Sequence, residues 1–287
     1  MRRLKEWSVA ILCRGAALCS ILLFGFVLFY ILHESLSFWR EDGLVQSFST
    51  HWQPLNDQFG MLIALLGTVS VALLGVLISL PIALGITIFA TCYLTTRWRT
   101  LMGSFCDMLA GIPSVVMGFF GLIVLLPMIE NSFALSTGES VLSAGILLAV
   151  MLLPYEISAL LETAQQLLER YWQTILTFGV SKAYFARRFL LPNLRVSLIS
   201  SFLLAFARGA GETMAVMMVI GNSNLLPSFL GKSSTIQGRI ALEMGMAVVG
   251  GKHYQALFAS AFILTLLILL VNLTQALFQK WVQHEQN

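Results

Sequence analysis

Apolar residues along this chain gather into long blocks separated by short polar connections. Six blocks stand out, at 16–36, 61–94, 105–129, 141–161, 196–220 and 254–278. A bilayer core about 30 Å thick needs ~20 apolar residues of helix, each rising ~1.5 Å. Each block meets that length, so the pattern predicts an all-α polytopic membrane protein with six transmembrane helices. The block 61–94 exceeds the need. It must tilt, kink at Pro81 or extend out of the bilayer. Pro113, Pro127 and Pro154 interrupt other blocks, which membrane helices tolerate when neighbours re-satisfy the freed carbonyls.

Composition agrees with this reading. Of 287 residues, 57% are hydrophobic and 11% charged, against about 25% charged in an ordinary soluble domain. The net charge of +3 is too small to suggest nucleic acid as a partner. Its distribution is more telling. Arg2, Arg3, Lys5 and Arg14 accompany the first block, Arg97 and Arg99 follow the second, and Arg170, Lys182, Arg187, Arg188 and Arg195 follow the fourth. The opposite connections hold only Arg40, Lys232, Arg239 and Lys252. The positive-inside rule then puts both termini in the cytoplasm. Trp7, Trp39, Trp52, Trp98 and Trp281 flank the blocks as interfacial anchors do. The basic N-terminus before an apolar run mimics a signal peptide. It lacks a small-residue cleavage site, so it reads as an uncleaved first helix. Cys13, Cys19, Cys92 and Cys106 show no metal-ligand spacing and no CxxC, and read as small hydrophobes.

The connection at 162–195 has structure of its own. Leu160, Leu161, Ala164, Leu167, Leu168 and Tyr171 recur at helical spacing. Gly179 breaks the pattern before a second basic, aromatic stretch that ends at Pro192. Two short amphipathic helices bent at a glycine make a compact projection, suited to a groove on a partner protein. The spacing from Gly179 to Leu191 and Pro192 resembles the "EAA" loop of bacterial ABC-importer permeases. In that family the loop docks on the ATPase. This chain has Gln173-Thr174-Ile175 where Glu-Ala-Ala is usual, so Gln173 keeps hydrogen-bonding capacity without the charge. Arg188 adds a basic residue to the same segment.

Two strings sharpen the resemblance. The stretch from Leu109 to Gly121, LAGIPSVVMGFFG, is similar to the third-span signature of phosphate ABC permeases. Gly211-Glu-Thr-Met-Ala-Val216, then Ile220-Gly-Asn222, is similar to the fifth-span signature of their PstC-type subunit. The stretch Ile240-Ala-Leu-Glu-Met-Gly245 and the run around Tyr254 are also PstC-like. On this basis the chain is identified as a member of that family. The resemblance covers about 60–281 and implies a transmembrane domain there, with the coupling loop at about 162–195. Residues 1–59 then hold the N-terminal segment, first helix and outer connection. It also implies a type I ABC-importer permease fold, location in the bacterial cytoplasmic membrane, and import of inorganic phosphate by alternating access. The implied partners are a second, PstA-like permease, a PstB-like ATPase dimer and a periplasmic PstS-like binding protein, besides membrane lipid. No cofactor and no catalytic or metal site is implied.

No GxxxxGK[ST], HExxH or GxSxG occurs, so the chain carries no nucleotide site of that type and offers no intramembrane enzyme. Other readings are a permease for another oxyanion, such as molybdate or sulfate, and an ion-coupled secondary transporter, which would not need the coupling loop.

Arg208 and Glu212 are the charged residues of the fifth block. A lone charge at mid-membrane costs at least ~2.5–3.5 kcal/mol and defaults to function. Four residues apart on one helix, the two share a face and can pair. They either line an anion path or form a structural bridge. Thr213 beside them and Ser114, after the helix break at Pro113, complete the candidate path, since broken helices can aim free N–H groups at an anion. Glu156 reads as a solvated helix end in preference to a gate contact, and Asp107 as the N-terminal cap of the third span. His253 is assigned no metal. Asn222, Asn224, Lys232 and Lys252 belong to the outer connection.

Overall fold

A computed structural model describes residues 2–177 and 179–286; the side chains of 2–11, 41, 42, 44, 172–176 and 282–286 stay outside the description. Ten helices carry the fold: α1 Arg2–Asp42, α2 Leu62–Tyr93, α3 Thr96–Ala110, α4 Ser114–Phe133, α5 Val141–Thr177, α6 Lys182–Asn193, α7 Arg195–Ala210, α8 Met214–Val219, α9 Ile236–Glu243 and α10 Lys252–Gln286. The only strands among the described residues are Trp52–Gln53 and Gln58–Phe59, paired antiparallel with Trp52 opposite Phe59.

The centre of the molecule is the pair α2 and α5, which run in the same direction. Lipid tails offer no hydrophobic force between helices, so close packing must hold the pair. α2 buries small residues along one stripe, among them Thr68, Ala72, Gly75, Ser79 and Ala83. The two helices interlock. A Cβ on Gly75 would lie 3.0 Å from Leu148, and one on Gly145 would lie 2.5 Å from Leu74. Pro81 and Pro154 sit inside continuous helices.

Among the described residues, five helices are long and apolar enough to cross a membrane. The sixth crossing is broken. Ser197 at the start of α7 bonds Thr163 of α5 at 3.1 Å. Val219 at the end of α8 accepts from the backbone N–H of Ser140, next to the start of α5, at 3.2 Å. Thr163 and Ser140 are separated by about 35 Å along α5 at ~1.5 Å per residue, enough to traverse the core. So α7 and α8 together make the fifth predicted span, with 211–213 as a break that the hydropathy pattern did not reveal.

The third predicted span also shifts. Residues 96–110 form a separate amphipathic helix, α3, and the crossing begins only at Ser114. Asp107 lies exposed near the C-terminal end of α3 and caps nothing there, which corrects the expected N-terminal cap. α4 and α6 each contain a π-helical stretch, Gly121–Leu125 and Phe185–Leu190. Each stretch ends two residues before a proline, Pro127 or Pro192. The wider turn accommodates a residue that lacks an N–H and clashes with the preceding turn.

α1 lies at the periphery. No residue of its apolar window is buried in the protein. It leans on α10 through Tyr30 against Phe258, Trp39 against Phe262, and the Ser35 hydroxyl donating to Phe258 O at 3.0 Å.

A candidate anion cavity and its two ends

The break between α7 and α8 puts Arg208 and Glu212 on different elements. Arg208 is in the last turn of α7, and Glu212 follows the helix end at Gly211. The shared helix face expected from their spacing does not exist. Arg208 lays its guanidinium 3.5 Å from the ring centre of Tyr155 on α5. That ring is fixed in turn, because its hydroxyl donates to Ala110 O at 2.8 Å. The Glu212 carboxylate accepts from Ala215 N–H at 3.3 Å and so caps α8, where a negative charge suits the helix dipole. No Arg208–Glu212 ion pair is present among the described residues.

The two charges nevertheless border one space. A cavity of about 260 Å³ is lined by Arg208, Glu212, Tyr155 and Ser114, with apolar walls from Leu148 and Met151. Ser114 opens α4, so the first turn of a crossing helix faces the cavity. Thr213 is not among its lining residues; its hydroxyl donates to Gly211 O at 3.4 Å.

Above the cavity the chain returns into the bundle. Gln237 of α9 donates from Nε2 to Glu212 O at 3.0 Å, satisfying a carbonyl freed by the break. Thr68 of α2 donates to Gln237 Oε1 at 3.1 Å and accepts from Ile236 N–H at 3.0 Å. Two residues further on, Arg239 is 4% exposed. Its guanidinium donates to Gly60 O, Asn224 Oδ1 and Ser234 Oγ at 3.2, 2.9 and 3.0 Å. It also lies over Trp52, 4.3 Å from the ring centre. Burial pushes Arg239 down to about 10, and Glu243 opposes the shift. Glu243 accepts from Trp52 Nε1 at 2.9 Å and pairs with His253 at 2.8 Å. His253 is thus a structural partner. Asn224 joins this network, while Asn222 donates to Met217 O at 2.7 Å and Lys232 pairs with Glu139. These outer-connection residues tie the plug together.

At the other end, α5 runs without a break to Thr177, so the first arm of the predicted coupling loop is a continuation of the span. Gly179 turns the chain at φ +60°, a left-handed conformation that side chains resist. α6 then folds back. Tyr171 meets Phe189 edge-on at 4.5 Å, and Phe185, Leu190 and Leu194 are buried with Ala164. Arg188 and Leu191 are exposed and Pro192 is half-buried on the returning arm. The side chain of Gln173, and Phe178 beside the turn, lie outside the described residues. Arg99 closes the end of α2 by donating to the carbonyls of Ala90, Thr91 and Leu94, as a cation at a helix C-terminus does.

The sequence missed two residues of consequence, Tyr155 and Gln237, and misplaced a third, Glu156. Tyr155 was hidden because the span was read as ending at 161. Glu156 is 2% exposed, which corrects its reading as a solvated helix end: the helix continues far beyond it and α2 covers it. Gln237 is linked to the break across 25 residues, and no local pattern announces that.

A family model described as "binding-protein-dependent transport system inner membrane component" matches residues 82–284. The "Phosphate transport system permease protein PstC" of Xylella fastidiosa is 34% identical over 221 residues, covering 70% of this chain and 68% of that protein. The "Probable phosphate transport system permease protein PstC" of Methanocaldococcus jannaschii is 26% identical, covering 99% and 96%. The protein of the same function name in Haemophilus influenzae is 27% identical, covering 93% of each chain.

Proposed function

This chain belongs to the binding-protein-dependent transport system inner membrane component family, and on that premise we propose that it is a permease subunit of an ATP-driven phosphate importer. The observation that carries the reading is Arg208. A guanidinium with no ion pair among the described residues faces a cavity within the spans, across from the first turn of α4. A positive charge and a helix N-terminus together favour an anion. The relatives' names supply phosphate as that anion. Ser114 and Glu212 border the site, and Thr213 holds the break beside it. Glu212 keeps a negative charge near the cavity, which limits how tightly an anion is held, as passage requires.

In this reading the hairpin about Gly179 docks on an ATPase dimer, and Gln173, Arg188, Leu191 and Pro192 belong to the docking arm. A second permease and a binding protein complete the assembly, with both termini of this chain in the cytoplasm. Closure of the ATPase dimer reaches the cavity through α5, one rigid helix that spans both. The test is phosphate uptake into vesicles carrying the assembled complex. Arg208→Gln removes the positive field and keeps hydrogen-bonding capacity. It should lower uptake at least tenfold while the complex still co-purifies. Near-normal uptake by an assembled Arg208→Gln complex would overturn the path reading. Uptake of sulfate or molybdate in place of phosphate by the unaltered complex would overturn the choice of anion.

A further inference from the structure

Three cavities adjoin along the seam between α5 and α7. The first is the space below the α7–α8 break described above. A second, of about 130 Å³, shares Leu152, Tyr155 and Arg208 with the first and adds Glu156 and Ser201. The third, of about 1090 Å³, shares Ala159, Ser201 and Leu204 with the second, and widens among Gln166, Ser197 and Gln275 toward the hairpin end. The row therefore runs from Arg208 past Glu156 into a wide polar vestibule. Ser201, Ser197 and Asn193 mark the same side of α7 and its approach at four-residue spacing.

Glu156 is the anomaly in this row. It is 2% exposed, and neither carboxylate oxygen makes a hydrogen bond among the described residues, although the buried Ser79 hydroxyl of α2 lies beside it. Buried carboxylates are normally paired. The opposite charge is near at hand, since Arg208 lines the same small cavity and has no ion pair among the described residues. The guanidinium rests on Tyr155, whose ring is anchored at its hydroxyl. From that rest it borders the Ser114 cavity on one side and the Glu156 cavity on the other. At ~30 Å³ per water, the smaller cavity holds space for about four waters, enough for the guanidinium to move into it.

We propose that Glu156 is the counterion that Arg208 takes up when the transported anion leaves, which makes it a positioning residue of the path. The inference rests on the reading of Arg208 as the anion's contact. With phosphate in the first cavity, the anion satisfies Arg208. As phosphate passes to the vestibule, Arg208 turns to Glu156, so the departing anion is not drawn back and the empty path holds no unmatched charge. Glu156 thus sets release, and the Ser114 cavity sets capture.

The experiment uses the assembled complex and two readouts: uptake of phosphate into vesicles, and retention of labelled phosphate by the solubilised complex. Glu156→Gln keeps shape and hydrogen-bonding groups and removes only the charge. Maximal uptake should fall at least tenfold, half-saturation should move to lower phosphate, and retention should rise. Glu156→Asp should restore most of the uptake. In an Arg208→Gln background the added Glu156→Gln change should no longer raise retention, because the two act through one contact. Unchanged uptake and retention in Glu156→Gln would overturn the proposal, since a neutral amide would then serve as well as a carboxylate. Loss of assembly in both the Gln and Asp variants would also overturn it and leave Glu156 a packing role. If Arg208→Gln itself transports normally, the path reading fails. If Arg208→Gln stops transport while Glu156→Gln does nothing, only the present inference falls.

Discussion

Two arginines of this protein are held in opposite ways. Arg239, in the outer plug, has a hydrogen-bond acceptor for each of three directions, an aromatic ring beneath it and Glu243 nearby. Arg208, exposed in the last turn of α7, has one aromatic ring and open space. Burying a charge is costly unless it is paired and hydrogen-bonded. Arg239 meets that condition within the fold, and its partners knit the outer connection, α9 and the start of α10 into one cap. Glu156 is buried and does not meet it, while Arg208 beside it is exposed and keeps its charge at the edge of open space. The outer end spends its polar groups on closing the structure. The inner seam leaves them available to something that comes and goes.

The largest effect on stability should come from disturbing the matched arginine. Arg239→Met keeps the stem and removes the guanidinium. Gly60 O and Ser234, both buried, each lose a donor, at ~1–3 kcal/mol for an unsatisfied buried group, while exposed Asn224 can turn to water, so the loss should reach about 3 kcal/mol. Thermal unfolding of the purified complex would show a clear fall in Tm and a lower yield. Arg208→Gln should leave both nearly unchanged while stopping transport. If the two variants lost stability equally, the contrast between them would collapse.

A middle effect belongs to Gly179. Its φ of +60° with open space around it means that a side chain is opposed by the backbone alone. Alanine there should cost about 1–2 kcal/mol, and a β-branched residue more. Gly179→Val should leave membrane insertion intact while ATP hydrolysis by the complex no longer drives uptake. Normal uptake in that variant would remove the hairpin from the coupling role and leave α5 a long helix with an idle end.

What the sequence made legible follows from what local pattern can carry. Six apolar blocks foretold six crossings, and Gly179 with Pro192 foretold the hairpin, because length, hydropathy and a single glycine are local signals. The break at 211–213 escaped because its backbone is satisfied from afar, by Gln237 reaching Glu212 O. Apolar residues continue on both sides, so hydropathy shows no seam. α3 was merged with the third span for a similar reason: only Gly111 and Pro113 separate an amphipathic helix from a lipid-facing one. The candidate site was legible as Arg208, Glu212 and Ser114, which the structure gathers at one cavity, but not as a face of one helix. Tyr155 became visible only when α5 was seen to continue well past 161, and the same continuation turned Glu156 from an apparent helix end into a buried position.

The smallest effect should come from a charge of a third kind. Lys232 pairs with Glu139 at the outer end, and each side chain is 35% exposed. The gain from such a pair is reduced by water and by the entropy of two long side chains, leaving about 0–1 kcal/mol. The Lys232 stem also lies over Gly221, where φ is +89°, so an alanine there would lose packing as well as charge. Lys232→Met isolates the charge, because it keeps an unbranched stem of similar length. Its Tm should stay close to that of the unaltered complex, and its uptake should be normal at saturating phosphate. A loss as large as that of Arg239→Met would mean that partial exposure does not weaken a matched pair here. The order from Arg239 to Lys232 would then have to be explained by position along the membrane normal, and not by how completely each charge is enclosed.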